Sequence, residues 1–267
     1  MTSLLPKKKI ARAPEATTPA IDIDHLCFSY PDRLQVLDNI CLRVAPGERV
    51  GIIGHNGCGK TTLFMTLCGA LTPTAGSVRL MNKPVVAGGF NPQIGLLFQN
   101  PDSQLFSASV QEDIRFGPNN MGLSPQQVDE RVESVMATPG LHSLAERPPH
   151  HLSGGEKQMV AIAGLLAMMP KIVLYDEPTA SLDIRSRRRL ITFMQRLQQT
   201  MVIASHDLEF LLEVCDRTLI MYQGKIVADG SPRDIMGDDT IMKNYELEKP
   251  HSLITHVIKN HKKTSQD

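Results

Sequence analysis

Gly54-His55-Asn56-Gly57-Cys58-Gly59-Lys60-Thr61 combines residue types that suit the holding of a polyphosphate. Its glycines let the backbone wrap closely round phosphate oxygens, with amide groups pointing inward. Lys60 has the charge and reach for β- and γ-phosphates, and the Thr61 hydroxyl suits magnesium. The apolar run Val50-Gly51-Ile52-Ile53 in front reads as a buried strand. Thr62-Leu63-Phe64-Met65-Thr66-Leu67 behind reads as the start of a helix, whose positive end adds to the site. A second chemical cluster closes the apolar run Ile172-Val173-Leu174-Tyr175 with Asp176-Glu177. A carboxylate at a strand end can bind magnesium directly or through water. Leu152-Ser153-Gly154-Gly155-Glu156 stands just before a long helical stretch. His206 follows the apolar run Met201–Ala204.

Positioning these groups requires an α/β scaffold. Ordered structure is expected from Ile21, with the alternating stretch Ile21 to Phe28 as a strand. Leu37 to Val44 is a second strand, and Pro46-Gly47-Glu48 turns into the strand before the phosphate loop. Pro73 to Pro92 holds Gly76, Pro84, Gly88 and Gly89, which suits short strands and turns. Val110 to Leu152 is mostly helical in pattern, with a break expected at Gly117-Pro118. Ser124-Pro125 looks like a capped helix start with proline at the first helical position. Beyond Ser153 the alternation returns. A strand is expected at Lys171–Tyr175, a basic-faced helix at Ile184–Gln199 and a strand at Met201–Ala204. A helix follows at Leu208–Val214, then a hairpin of Leu219–Met221 and Lys225–Val227 round Gln223-Gly224.

The chain has 267 residues, with 28 Lys+Arg against 28 Asp+Glu, so no global field draws it to nucleic acid. No apolar run approaches the ~18–20 residues needed to span a bilayer, so membrane work would pass through a partner. The five cysteines are scattered and odd in number, with no close Cys/His pairing to suggest zinc, and fit a reducing compartment. Residues 1–20, with Lys7-Lys8-Lys9, read as a disordered arm or alternatively as a basic membrane-surface contact. They lack the long apolar stretch of a secretory signal.

Taken in order, the phosphate loop, the Leu152–Glu156 pentapeptide and Ile172–Glu177 resemble the ATP-binding subunit of ATP-binding-cassette (ABC) transporters. The resemblance covers about Ile21 to Asp234. It implies an α/β fold with a mixed sheet core, an antiparallel β subdomain and an inserted helical subdomain. The expected boundaries are 21–235 for the ATPase domain, about 100–155 for the insert, and 236–267 for a C-terminal extension. It implies ATP and Mg2+ as cofactors, with ATP bound by Tyr30, Gly54, His55, Asn56, Gly57, Cys58, Gly59, Lys60, Thr61 and Thr62. Tyr30 matches the aromatic that stacks on adenine. Magnesium falls to Thr61, Gln99 and Asp176. Glu177 matches the general base, His206 the γ-phosphate switch, and Gln99 the residue that senses magnesium and the attacking water. Leu152, Ser153, Gly154, Gly155 and Glu156 match the signature that meets the nucleotide of a second, head-to-tail cassette. Ser181, Leu182 and Asp183 match the loop that crosses to that partner.

Within this family, Phe98–Phe106, Glu112–Leu123 and Glu248-Lys249-Pro250-His251-Ser252 look like the ATPases of energy-coupling-factor importers, particularly the cobalt/nickel type. That likeness implies a second ATPase subunit, expected to be a copy of the chain itself, with a related subunit as the alternative. It also implies integral membrane coupling and substrate-capture subunits, no nucleic acid, and a peripheral place on the cytoplasmic face of the cell membrane. Asp102, Glu112 and Asp113 are candidates for meeting an arginine of the coupling subunit; a solvated acidic helix start is the other reading. Two positions depart from the family pattern. Glu156 stands where glutamine is commonest, and Met159 where arginine is frequent. His150-His151, His251, His256 and His261 form no tight ligand cluster in sequence. Alternative functions are the ATPase of another importer, for a vitamin such as biotin or for an amino acid, or a non-transport cassette ATPase acting on nucleic acid. A long coiled coil, a zinc module or a basic stripe would favour the last; the sequence has none.

Overall fold

A computed structural model describes residues 18–254. Two sheets share its first core. The antiparallel sheet runs in the order β2-β1-β4-β5, from β1 (Ile21–Tyr30), β2 (Arg33–Val44), β4 (Ala75–Leu80) and β5 (Lys83–Pro84). The larger sheet runs β10-β9-β3-β8-β7-β6, from β3 (Arg49–Ile53), β6 (Ile94–Leu97), β7 (Ile172–Asp176), β8 (Thr200–Ala204), β9 (Arg217–Tyr222) and β10 (Lys225–Gly230). Its pairings are parallel except β10 on β9, so the sheet is mixed.

Helix α1 (Lys60–Leu67) packs between the sheets, with Leu63, Phe64 and Leu67 buried against both. Burying a side chain such as Phe64 contributes about 1.5–3 kcal/mol. On the central strands, alternate residues enter opposite cores. Leu174, Val202 and Leu219 join the α1 side. Tyr175, Ile203 and Ile220 join a second core under α5 (Ile184–Met194), α6 (Leu208–Val214), α7 (Pro232–Gly237) and α8 (Asp239–Asn244). Burial on both faces is why these strands read as unbroken apolar runs.

A third core lies between α2 (Val110–Asn119), α3 (Pro125–Met136) and α4 (Gly154–Ala167). Helix α4 is apolar nearly all round. Ile162 and Leu165 face the sheet, while Val160, Ala163 and Ala167 face α2 and α3.

Several local expectations need correction. Helix α2 continues through Gly117-Pro118 to Asn119. Pro118 sits in its last turn, so it removes one helical hydrogen bond just before the helix ends at Asn119. Gly117 is a packing residue, since a Cβ there would fall 2.6 Å from Met168 Cγ. Helix α5 ends at Met194, well short of Gln199, because the chain must unwind to enter β8 at Thr200. Strand β6 had no clear signal, being only four residues and interrupted by Gly95. A Cβ on Gly95 would lie 2.8 Å from Leu165 Cγ, so the glycine lets α4 approach the sheet. The tail 238–254 folds back: Met242 is buried in the second core, and Tyr245, Leu247 and Leu253 pack against it. Lys7-Lys8-Lys9, His256 and His261 lie outside the described residues. Among those described, no helix is long and apolar enough to cross a membrane.

Candidate active site

The chain passes from β3 into α1 through six residues that glycine makes possible. Gly54 has φ 158°, and a Cβ there would sit 2.2 Å from the Met221 carbonyl oxygen. Gly59 has φ 110°, and a Cβ would sit 2.8 Å from the Val36 oxygen. The loop is pinned from outside by Gly224 N–H on Cys58 O at 3.2 Å, and by Arg33 Nη2 on Gly57 O at 2.8 Å. Lys60 is buried, and its ammonium donates to Gly54 O at 2.6 Å and His55 O at 3.3 Å. It is thereby held over the loop, where a phosphate oxygen would compete for it.

Parallel strands deliver the remaining groups to one edge. Thr61 Oγ1 donates to Asp176 Oδ2 at 2.7 Å, joining the start of α1 to the end of β7. Gln99, just beyond β6, lines the same cleft, as do Asn56, Lys60, Thr61, Asp176 and Glu177. Tyr30 borders it, its ring edge-on to Phe28 at 4.8 Å and its hydroxyl 3.4 Å from Thr62 Oγ1. Glu177 takes the left-handed conformation, φ 49°. For a non-glycine residue this costs about 1–3 kcal/mol, and such strain clusters at functional sites. Its N–H is held by Ala204 O at 2.9 Å. Its Oε2 accepts the His206 N–H at 3.0 Å, while Oε1 is buried and accepts nothing. His206 Nε2 reaches Asn56 Oδ1 at 2.8 Å, so the ring ties the ends of β7 and β8 to the loop.

Two members of the loop look elsewhere. His55 Nε2 meets Tyr245 O at 3.0 Å, away from the cleft lining. Cys58 is buried, and burial pushes its thiol up despite the nearby Lys60.

The second group of candidate residues forms a separate surface. Ser153 caps α4, and none of Leu152–Glu156 lines the cleft above. Gly154 packs on Ser181, where a Cβ would fall 3.3 Å from its carbonyl oxygen, and Gly155 packs on Ser186. Asp183 caps α5 through Arg185 N–H at 2.8 Å and Ser186 N–H at 2.9 Å. These bonds, Ser186 first, hold its carboxyl below the usual range. The signature and the Ser181-Leu182-Asp183 loop are therefore one continuous patch.

The ABC transporter family model matches residues 37–180, more than half of the chain. A Synechocystis sp. protein named as an ABC transporter ATP-binding protein is 60% identical over 88% of this chain and 83% of its own length. The energy-coupling factor transporter ATP-binding protein EcfA of Methanocaldococcus jannaschii is 38% identical, over 89% and 88%. The chain belongs to the ABC transporter family. Among solved structures, CbiO1 of Clostridium perfringens, part of the ABC transporter complex CbiONQ, superposes with a TM-score of 0.74 and 34% identity. That match spans 85% of this chain and 94% of CbiO1. The fold is the ABC ATPase fold, and the chain is an ATP-binding ATPase coupled to transport.

The departures of this ABC ATPase from its family pattern have visible consequences. Glu156 completes a capping box: its Oε2 accepts the Ser153 N–H at 2.8 Å and the Ser153 hydroxyl at 2.7 Å. The Ser153 hydroxyl first, then the N–H, lower the Glu156 carboxyl pKa. Met159 replaces a charge with apolar contact, bridging the second and third cores. Asp102, Glu112 and Asp113 each have an internal partner. Asp102 pairs with Lys157 at 2.7 Å, and Glu112 accepts the Ala108 N–H at 3.2 Å. Asp113 Oδ1 accepts the N–H groups of Phe106 and Ser107, each at 3.1 Å. Beside them Phe106 and Phe116 lie exposed, rings edge-to-face at 4.8 Å. Arg33 went unnoticed in the sequence; only its nearness to Tyr30 could have drawn attention to it.

Proposed function

We propose that this chain is the ATP-hydrolysing subunit of an energy-coupling-factor type importer, acting as a head-to-tail dimer to drive uptake of cobalt or nickel ions. The observation behind hydrolysis is the free Oε1 of Glu177, buried at the cleft edge and oriented by the His206 bond on its other oxygen. Glu177 takes the role of general base, orienting water on the γ-phosphate. Lys60 and the loop amides hold the phosphates. Tyr30 stacks on adenine, and His206 senses the γ-phosphate.

The Thr61 hydroxyl and Asp176 carboxylate, already paired at 2.7 Å, are hard oxygen donors that fit magnesium, with Gln99 beside them. An ion held by them would supply positive charge against the phosphate oxygens. The head-to-tail dimer is supported by the separation of the signature from its own cleft. Gly154 and Gly155 at the N-terminus of α4 present N–H donors for an anion brought by another subunit; Ser153, whose own donors rest on Glu156, would join them by turning its hydroxyl, and Ser181-Leu182-Asp183 crosses with them.

The importer type is supported by the likeness to EcfA and CbiO1, and by the segments Phe98–Phe106, Glu112–Leu123 and Glu248–Ser252. It places the protein peripherally on the cytoplasmic face of the membrane, bound to coupling and substrate-capture subunits. Cellular uptake tests the cargo. Coexpressed with those subunits in cells unable to import cobalt, the wild type should accumulate Co2+ and Glu177→Gln should not. Accumulation of a vitamin such as biotin in its place would overturn the metal cargo.

A further inference from the structure

Asp24, His25 and Cys41 gather on the antiparallel sheet, and none of them lines the nucleotide cleft. Asp24 and His25 are consecutive on β1, where neighbours ordinarily face opposite sides. Here both are exposed. His25 has φ 49°, and pairing with β2 shifts register between Ile23 and Leu26, so a bulge turns both side chains outward. The neighbouring strand is shaped to match. Gly76 has φ 80°, and a Cβ there would fall 2.3 Å from the His25 carbonyl oxygen.

Cys41 comes from β2, and its Sγ lies 3.4 Å from the His25 backbone nitrogen. One ligand atom from each of the three residues lies within 4.8 Å of the others. The imidazole is also oriented. His25 Nδ1 meets Asn39 Oδ1 at 2.6 Å; with the amide oxygen accepting from Nδ1, the neutral ring offers its lone pair at Nε2. Nε2 stands 3.8 Å from Asp24 Oδ1. An oxygen acceptor behind one ring nitrogen, leaving the other free, is how proteins orient metal-ligating histidines. Asn39 is placed in turn by its own N–H on Cys27 Sγ at 3.3 Å.

We propose that Asp24, His25 and Cys41 form a site for a divalent transition-metal ion of the zinc class, bound by carboxylate, imidazole Nε2 and thiolate. Water completes the tetrahedron, and the Cys41 thiol releases its proton to solvent on binding. Thiolate and imidazole favour zinc or cobalt over magnesium. Ligands about 2.0–2.3 Å from zinc stand closer together than 4.8 Å, and rotation of three exposed side chains supplies the closure. The ion cross-links β1 to β2 at the bulge. The site is independent of the reading of nucleotide chemistry and of cargo. Cys41 is 16 residues from His25 in sequence, and strand pairing brings it beside the Asp24-His25 pair.

Cobalt is the probe, because a thiolate ligand gives Co2+ a charge-transfer band and a tetrahedral field intensifies its visible bands. The reduced, chelator-treated full-length chain, titrated with Co2+, should develop both bands at one equivalent, and Zn2+ should abolish them. Cys41→Ser should lose the charge-transfer band. Asp24→Asn and His25→Asn should weaken Co2+ binding at least about ten-fold; asparagine tolerates the left-handed backbone at position 25. Asn39→Gly should weaken it about 10- to 100-fold, while Cys68→Ser, at the end of α1 and outside the cluster, keeps both bands. Unchanged ATP binding by each variant shows that the fold survives. A band absent from the wild type, retained by Cys41→Ser, or lost in Cys68→Ser overturns the site.

Discussion

Glu177 and His206 are joined side chain to main chain: the His206 N–H donates to Glu177 Oε2 at 3.0 Å, and Oε1 is left without a hydrogen bond, 3.4 Å from His206 Nε2. The bond crosses from the end of β7 to the end of β8. One carboxylate oxygen is thus held by the main chain, and the other has no hydrogen bond. The His206 ring leans on Asn56 of the phosphate loop, so Asn56, His206 and Glu177 form one run of contacts.

Glu177→Gln separates the hydrogen bond from the proton transfer. Glutamine still offers an oxygen to the His206 N–H but cannot take a proton from water. Turnover should fall by about 10²–10⁴-fold or more, with ATP affinity little changed. Nucleotide titration and phosphate release on the same preparation check both halves. Wild-type turnover in the variant would remove Glu177 from the role of base. Lys60→Ala should do the opposite and weaken ATP binding, since a buried cation over the loop is lost.

The division between cleft and signature predicts complementation. A subunit with Ser153→Arg has a ruined signature and an intact loop; one with Lys60→Ala has the reverse. In a head-to-tail pair of the two, both lesions fall at one interface and the other interface is whole. Each homodimer has two damaged sites and should be inactive. Mixing should restore ATP hydrolysis, up to half the wild-type rate if one site suffices. Silence in a crosslinked mixed dimer, with one-site competence shown independently, would falsify the trans arrangement.

Glu156 gives a pH signature. The Ser153 hydroxyl and N–H hold its carboxyl below the ordinary range. A depressed folded pKa means the carboxylate stabilises the fold above the unfolded value, about 4.3. That contribution is lost as pH falls through the folded value. Glu156→Gln does not titrate, so it escapes this loss. Thermal melts should show a constant gap in Tm between wild type and variant above about pH 5, and a shrinking one below the unfolded value. Parallel curves down to acid unfolding would show that the capping box contributes nothing through charge.

What the sequence made legible was what is contiguous. The phosphate loop, its strand and its helix are one run of residues, and local chemistry dictates them. Asp176 lies 115 residues from Thr61, and its pairing with the loop was reached through the family pattern, since parallel strand order cannot be read from composition. The Gly117-Pro118 pair misled because a breaker in a last helical turn breaks nothing, and because only Met168 explains the glycine. The acidic residues 102, 112 and 113 suggested an open anionic surface. Each instead has a partner within the chain: Lys157 for Asp102, the Ala108 N–H for Glu112, and the turn at Phe106-Ser107 for Asp113.

That last point moves the docking test from charge to aromatic surface. Asp113 holds the turn that carries Phe106, so neutralising it would disturb the fold and confuse loss of docking with loss of structure. Phe106 is 66% exposed and Phe116 50% exposed, and a paired aromatic surface of this kind is an anchor for an apolar helix. Both lie on the segment that follows Gln99, which lines the nucleotide cleft. Phe106→Ser with Phe116→Ser should leave ATP binding intact, because neither ring touches the cleft. Loss of two aromatic anchors should cost about 2 kcal/mol or more in the complex, some thirty-fold in affinity. Co-purification from detergent with the membrane coupling subunit is the measurement, with ATP titration of the free subunit as control. Full co-purification and normal transport by the double variant would place the docking surface elsewhere on the protein.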